Sequence, residues 1–421
     1  MFTVKDLQRS ASKYQLIYLN LSYRISALNP VEMLTPTNLA SAKTAWLEKA
    51  ECGLFTNPSF HYNQALLSAA ASQSDALESL KYTIDDTPAV SESDAFLLRH
   101  YRRIAEDALL TTRMAKAMLA GDDVALAQYV LAKYGRPEET ERAFSLIYRP
   151  TDESSSDEET EKAEEAEAKD SLSAELKELK KPQLNAEFIK KIFLWAMTQY
   201  GVRPWPVEIL KNCSAIDVRD KNSSRYPMIA IPASRKVGAL KLAELVGHEI
   251  ECHWRNSQNL SLINCLKSDD ELVYEGLAKD KDLAFQSKYA TDSTLAPFYV
   301  LAQNMALQGR GFVGIASFVY ENTASPKKAW TVAYRTLRGL TNTINLHGYA
   351  FTKDRAYFEG LLYVQRLRDS GRDIYLNFGA LSPRDLEDLS ASLDRKSVLE
   401  SEMLSDLDIQ SKTLEKIAQE L

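Results

Sequence analysis

Apolar residues recur at helical spacing along most of the chain. Over residues 8–30 and 37–53 they fall three and four apart, which predicts two helices. Asp94 to Leu119 is a longer amphipathic stretch rich in Leu, Ala and Arg, ended by Gly121, and Val124 to Tyr134 predicts a further short helix. The pattern resumes from Asn185 to Tyr200, where Gly201 and the Pro204 and Pro206 pair stop it. It changes at Met228-Ile-Ala-Ile-Pro232, which reads as a short strand, closely followed by a helix from Val237. From Ser382 a Ser-Pro-Arg-Asp start, with serine as cap and proline at the first helical position, opens an amphipathic tail that runs to Leu421. The expected fold is α+β, predominantly α-helical, with a small sheet beside the helix from Val237.

One stretch departs from this patterning. Between Thr151 and Pro182 there are twelve acidic and five basic residues, an excess that matches the net charge of −7 of all 421 residues. Few apolar residues occur there before Leu172, so it is expected to be a disordered acidic insert that becomes helical toward its end. The chain then divides into an N-terminal helical part (1–150), the insert (151–182), a catalytic core (183–385) and a helical tail (386–421). With the rest near neutral, nucleic acid is excluded as a partner, and a protein contact through the insert is the one further partner considered. No apolar run approaches the ~20 residues that span a bilayer, and no export signal is visible. Four cysteines without CxxC spacing suit a reducing compartment, and a cytoplasmic location is expected.

The chemistry is concentrated in Leu245–Trp254, LVGHEIECHW, which sets His248, Glu249 and His253 in an HExxxH pattern. Two imidazoles hold Zn²⁺ in such patterns, while the carboxylate beside the first moves a proton of the attacking water. The spacing is one residue longer than in HExxH. On an undistorted helix five residues turn the two rings ~140° apart, so chelation requires a π-bulge. The competing reading is two unrelated histidines on different faces of an amphipathic helix. Dipeptidyl peptidase III has a similar five-residue spacing. A catalytic zinc wants a third protein ligand. Glu275 is the candidate, because it sits in the apolar run Leu272-Val-Tyr-Glu-Gly-Leu-Ala278, where an unpaired carboxylate is costly to bury. Glu271 is the fallback.

HEIECH followed by YEGLA resembles the HExxxH and QEGLA pair of a family of bacterial proteins that also includes the eukaryotic microtubule-associated tyrosine carboxypeptidases. Phe351-Thr-Lys-Asp-Arg-Ala-Tyr-Phe-Glu-Gly360 is similar to that family's FTKDxxYxxG segment, and Asn57-Pro-Ser-Phe-His-Tyr62 to its NPxFxY segment. The resemblance spans roughly residues 30 to 385. Tyr274 stands in place of the bacterial Gln, and Glu251-Cys252 in place of a Gly-Thr often found between the histidines. Neither change touches a proposed ligand.

The resulting expectation is a zinc peptidase in which His248, His253 and Glu275 hold the metal and Glu249 is the proton carrier. The resemblance implies a carboxypeptidase acting on a peptide or protein C-terminus, with tyrosine the known preference of the eukaryotic members. Such an enzyme needs a cation for the free carboxylate. Arg335, Arg338, Lys353 and Arg355 are candidates, near Tyr349, Phe351 and Tyr357. A metal-dependent endopeptidase or dipeptidyl peptidase, and a non-catalytic regulatory binding protein on the same fold, are the alternatives. Gly309-Arg-Gly-Phe-Val-Gly314 matches GxGxxG without a preceding strand and is read as a loop.

Overall fold

The computed structural model describes residues 1–148, 183–211, 213, 215–219, 227–289, 295–404, 407 and 409–420; the acidic stretch 151–182 lies outside them. The first predicted helix is two, α1 (Val4–Lys13) and α2 (Gln15–Ile25), which meet at Tyr14. That ring is buried and its hydroxyl donates to the Pro88 carbonyl, so the chain bends where it enters the core. There follow α3 (Pro30–Met33), α4 (Leu39–Glu51), α5 (Gln64–Ala71) and α6 (Ser74–Asp86). The long α7 (Glu92–Ala120) is capped by the Ser91 hydroxyl and ended by Gly121 at φ +68°. Helices α1, α2, α5, α6 and α8 (Asp123–Tyr134) pack along it, and α9 (Thr140–Ile147) follows.

After the acidic stretch, β1 (Leu184–Asn185) leads into α10 (Ala186–Thr198), whose cap is Asn185. Strands β2 (Val207–Leu210), β3 (Asp217–Arg219) and β4 (Met228–Pro232) form a mixed sheet in the order β2-β4-β3, parallel on one side of β4 and antiparallel on the other. The continuous apolar run Ile229–Ile231 is fully buried, as a strand paired on both edges requires. Both edges of β4 are therefore occupied, which leaves no room there for an extended peptide to pair. The edge strand packed near the HExxxH segment is β3. A second small sheet pairs β1 with β5 (Lys236–Val237).

Next come α11 (Ala239–Leu245), a π-helix (Val246–Trp254) and α12 (Arg255–Leu262), in one continuous run. Then follow α13 (Leu272–Tyr289), α14 (Ala296–Leu307), α15 (Phe312–Thr323), α16 (Pro326–Thr336), a 3-10 turn at Thr352–Arg355 and α17 (Ala356–Asp369). The glycine-rich Gly309–Gly314 segment is loop only as far as Gly311, which caps α15.

The tail is not one helix. It splits into α18 (Pro383–Ser392), α19 (Arg395–Leu399) and α20 (Ile409–Glu420). The first break has a long-range cause: the Phe2 amide donates to the Ser392 carbonyl and the Asp394 amide to that of Phe2, which holds Leu393 extended. Helix α20 folds back onto α10, α11 and the π-helix. Buried apolar residues form several clusters. Ile250 and Trp254 of the π-helix belong to the one containing α10, the sheet and α20, whereas Cys252 faces the one shared by α1, α7 and α13.

Candidate metal centre

The predicted bulge is present. Over Val246–Trp254 the hydrogen bonds run to the fifth residue, which returns His248 and His253 to one face with ring centroids 4.7 Å apart. Helix α13 packs across that face and supplies Glu275. Its Oε2 lies 3.7 Å from His248 Nε2 and its Oε1 3.8 Å from His253 Nε2. These separations are too long for hydrogen bonds. All three donors nevertheless lie within 4.8 Å of one another, and Glu275 Oε2 is buried with no hydrogen-bond partner among the described residues. Two imidazole nitrogens and a carboxylate turned inward on a common space, with one oxygen unsatisfied, fit a divalent cation such as Zn²⁺. Glu271 is not in this group, because Lys267 at 2.7 Å and Lys353 at 3.1 Å pair with it.

The two histidines are held differently. Asp282 lies two turns beyond Glu275 on α13, and its Oδ2 is 3.1 Å from His248 Nδ1 and 2.6 Å from Lys279 Nζ. A proton on Nδ1 donated there leaves Nε2 as the ligand atom. The His253 ring instead lies flat on Tyr274, 3.9 Å between centroids at 13°, with Lys267 Nζ 3.8 Å from the centre of the Tyr274 ring. Tyr274, in the place of the Gln of the resembling bacterial proteins, therefore orients His253 by stacking. Asp282, Lys267 and Lys279 were missed in the sequence. The signal for Asp282 was its seven-residue spacing from Glu275, which puts both on one helix face.

Burial and mutual charge set the titration of the metal-free site. Burial pulls the His248 imidazole down, but Asp282, Glu249 and Glu275 outweigh it and raise it to about 9. Burial and the neighbouring His248 hold His253 well below the ordinary range. Burial raises Glu275, with His248 opposing. Glu249, 8% exposed, is pushed up to about 7 by burial, again with His248 opposing. Burial also opposes the charge on Asp282, but His248 and Lys279 more than offset it and hold that carboxyl below its usual range.

Two glycines set where α13 lies. A Cβ on Gly276, beside Glu275, would overlap the Gly360 carbonyl and come within 2.8 Å of Gly360 Cα; one on Gly360 would overlap the Leu272 carbonyl. The EGLA and FTKDxxYxxG glycines are thus two sides of one backbone contact between α13 and α17. Gly247, before His248, is covered by Gln410 of α20, whose Cγ would be 2.6 Å from a Cβ there.

The cations of the Tyr334–Tyr357 region are mostly engaged. Arg335 makes a two-pronged bond to Asp354 at 2.7 and 2.6 Å, donates to the Tyr357 hydroxyl at 3.0 Å and lies over the Tyr299 and Tyr357 rings. Arg355 pairs with Glu359 at 2.5 Å, and Lys353 bridges Asp269 and Glu271. Arg338 has no carboxylate partner among the described residues and rests between the Tyr334 and Phe351 rings, 5.1 and 5.5 Å from their centres. Lys279, one turn past Glu275, lies 5.7 Å from the Tyr357 ring, which places Tyr357 and Arg335 beside the ligand helix. The NPxFxY segment is structural. Asn57 accepts from the Val313 amide at the start of α15, Phe60 is buried against Trp330 and Tyr334, and Tyr62 receives the Gly339 amide and donates to the Leu340 carbonyl. Cys252 is a buried packing residue, and His347 is exposed in a turn.

A mostly helical chain that brings two histidines of a π-helix and a glutamate of α13 to one point falls among proteins built around a candidate His-His-Glu metal centre. More particularly, the chain belongs to the microtubule-associated tyrosine carboxypeptidase family, whose family model matches residues 54–418. That range carries every residue of the candidate site and extends into α20. No curated protein matches the chain. Among the described residues no helix is long and apolar enough to cross a membrane.

Proposed function

We propose that this protein is a zinc-dependent carboxypeptidase that removes a C-terminal residue, tyrosine in the first instance. The observation that carries the reading is the convergence of His248, His253 and Glu275, in a chain whose family is one of carboxypeptidases. Zn²⁺ held by these residues would polarise the scissile carbonyl and acidify the attacking water. Glu249 takes the water proton and returns it to the leaving amine. Its burial beside His248 keeps it out of bulk water and next to the proposed metal, where a carboxyl can serve both halves of that task. Arg338, which has no carboxylate partner among the described residues and rests between the Tyr334 and Phe351 rings, is the cation left to meet a terminal carboxylate, while Arg335 and Lys279 beside Tyr357 are already paired with Asp354 and Asp282. The family's description points to the C-terminus of a microtubule protein as the substrate.

The test is mass spectrometry of peptides ending in free tyrosine or tyrosinamide, incubated with zinc-loaded protein with and without chelator. Loss of the terminal residue from the free acid alone, abolished by chelator, is the expected result. Cleavage of internal bonds in amidated peptides at the same rate would replace the reading with an endopeptidase, and inertness toward both with a binding protein.

A further inference from the structure

Glu271 has φ +54°, left-handed backbone that residues with side chains rarely adopt. It stands immediately before α13, and its carbonyl accepts the Glu275 amide at 2.8 Å, in the helix's first turn. Its carboxylate is held by Lys267 and Lys353. Lys353 is 8% exposed and bonds Asp269 at 2.8 Å as well, while Asp269 is fixed by Lys133 at 2.9 Å and the Tyr134 hydroxyl at 3.0 Å. One buried ammonium therefore ties together two carboxylates of the turn that launches the ligand helix. Unfavourable backbone persists only where its surroundings over-determine it.

We propose that Lys353 is a positioning residue for the metal centre: by bridging Asp269 and Glu271 it holds the left-handed turn at the start of α13 and so fixes Glu275 against His248 and His253. This rests on the reading of those three residues as zinc ligands. It gives the lysine of the FTKDxxYxxG segment a task in building the site, in place of binding the substrate carboxylate.

The experiment uses the full chain and two readouts: zinc affinity by competition with a chromophoric chelator, and hydrogen exchange of the Glu275 amide in chelator-treated protein. Lys353→Met should weaken zinc binding roughly tenfold or more and speed exchange at Glu275, whereas Lys353→Arg should retain most of both. In a Glu271→Gly background, where φ +54° carries no strain, the same Lys353→Met change should have a clearly smaller effect on both. Unchanged zinc affinity and exchange in Lys353→Met, with weaker binding of free-acid peptides only, would overturn the proposal in favour of a substrate clamp. Should Lys353→Met fail to fold, Asp269→Asn removes one arm of the bridge and must show both effects in weaker form. A wild-type protein that binds no zinc would sink the metal reading, while the exchange measurement would still decide the role of the turn.

Discussion

Replacing Glu249 with glutamine should stabilise the metal-free protein while abolishing turnover. The carboxyl is raised to about 7 by burial, from an ordinary value of 4.5. The folded state therefore holds this proton more tightly than the unfolded chain, so stability is lost as pH rises from 4.5 through 7. A shift of that size corresponds to roughly 3 kcal/mol of destabilisation at pH 8 and under ~1 kcal/mol at pH 5. An amide of the same shape carries no titrating charge, so Glu249→Gln should remove this carboxyl's share of the slope. Its benefit over wild type should be larger at pH 8 than at pH 5 by about 2 to 3 kcal/mol. Any packing or hydrogen-bond change from the amide is independent of pH and cancels in that comparison. Urea denaturation of chelator-treated wild type and variant at the two pH values measures it. Equal differences at both would show that Glu249 is not held neutral by its surroundings in the metal-free protein.

The remaining predictions concern ligands and packing. His253→Ala should lose most bound zinc, as read by metal analysis after dialysis; zinc content equal to wild type would remove His253 from the ligand set. Asp282→Asn should weaken zinc affinity by about 10-fold or more through loss of the acceptor that orients His248, with chelator competition as the check. Because His248 is raised to about 9 in the metal-free protein, binding near pH 7.5 should release about one proton from it, measurable by calorimetry in buffers of different ionisation enthalpy. Gly360→Ala should destabilise the fold by about 3 kcal/mol, since the new methyl group meets backbone at Leu272 and Gly276; a shift in melting temperature within error would contradict the close crossing.

The parts of this molecule that were legible in its sequence are those fixed by local spacing. The limits of α7 and α8 and the Ser382 and Pro383 start of α18 follow from residues within a few turns of each other. The π-helix was legible for a different reason: five-residue spacing and a shared metal are incompatible with any regular α-helix. What escaped depends on distant partners. Leu393 breaks the tail because Phe2 pairs with it, β4 lacks a free edge because β2 and β3 flank it, and Lys353 faces inward because Asp269 and Glu271 await it. A motif lysine reads the same in sequence whether it meets a substrate or its own chain.

The contact between Gly276 and Gly360 also bears on how sequences of this type can drift. In most cores a larger residue at one position is offset by a smaller one opposite, and pairs of sites change together. Here the obstacle on each side is main chain, which no substitution can shrink. Neither glycine can be exchanged with its partner, and no second-site change across the interface restores the room. Both positions should therefore stay glycine in any relative that keeps this helix crossing, including one that has lost Glu249 and its chemistry. Invariance at EGLA and YFEG would report the crossing of two helices, and says nothing of the proposed chemistry at His248, Glu249, His253 and Glu275.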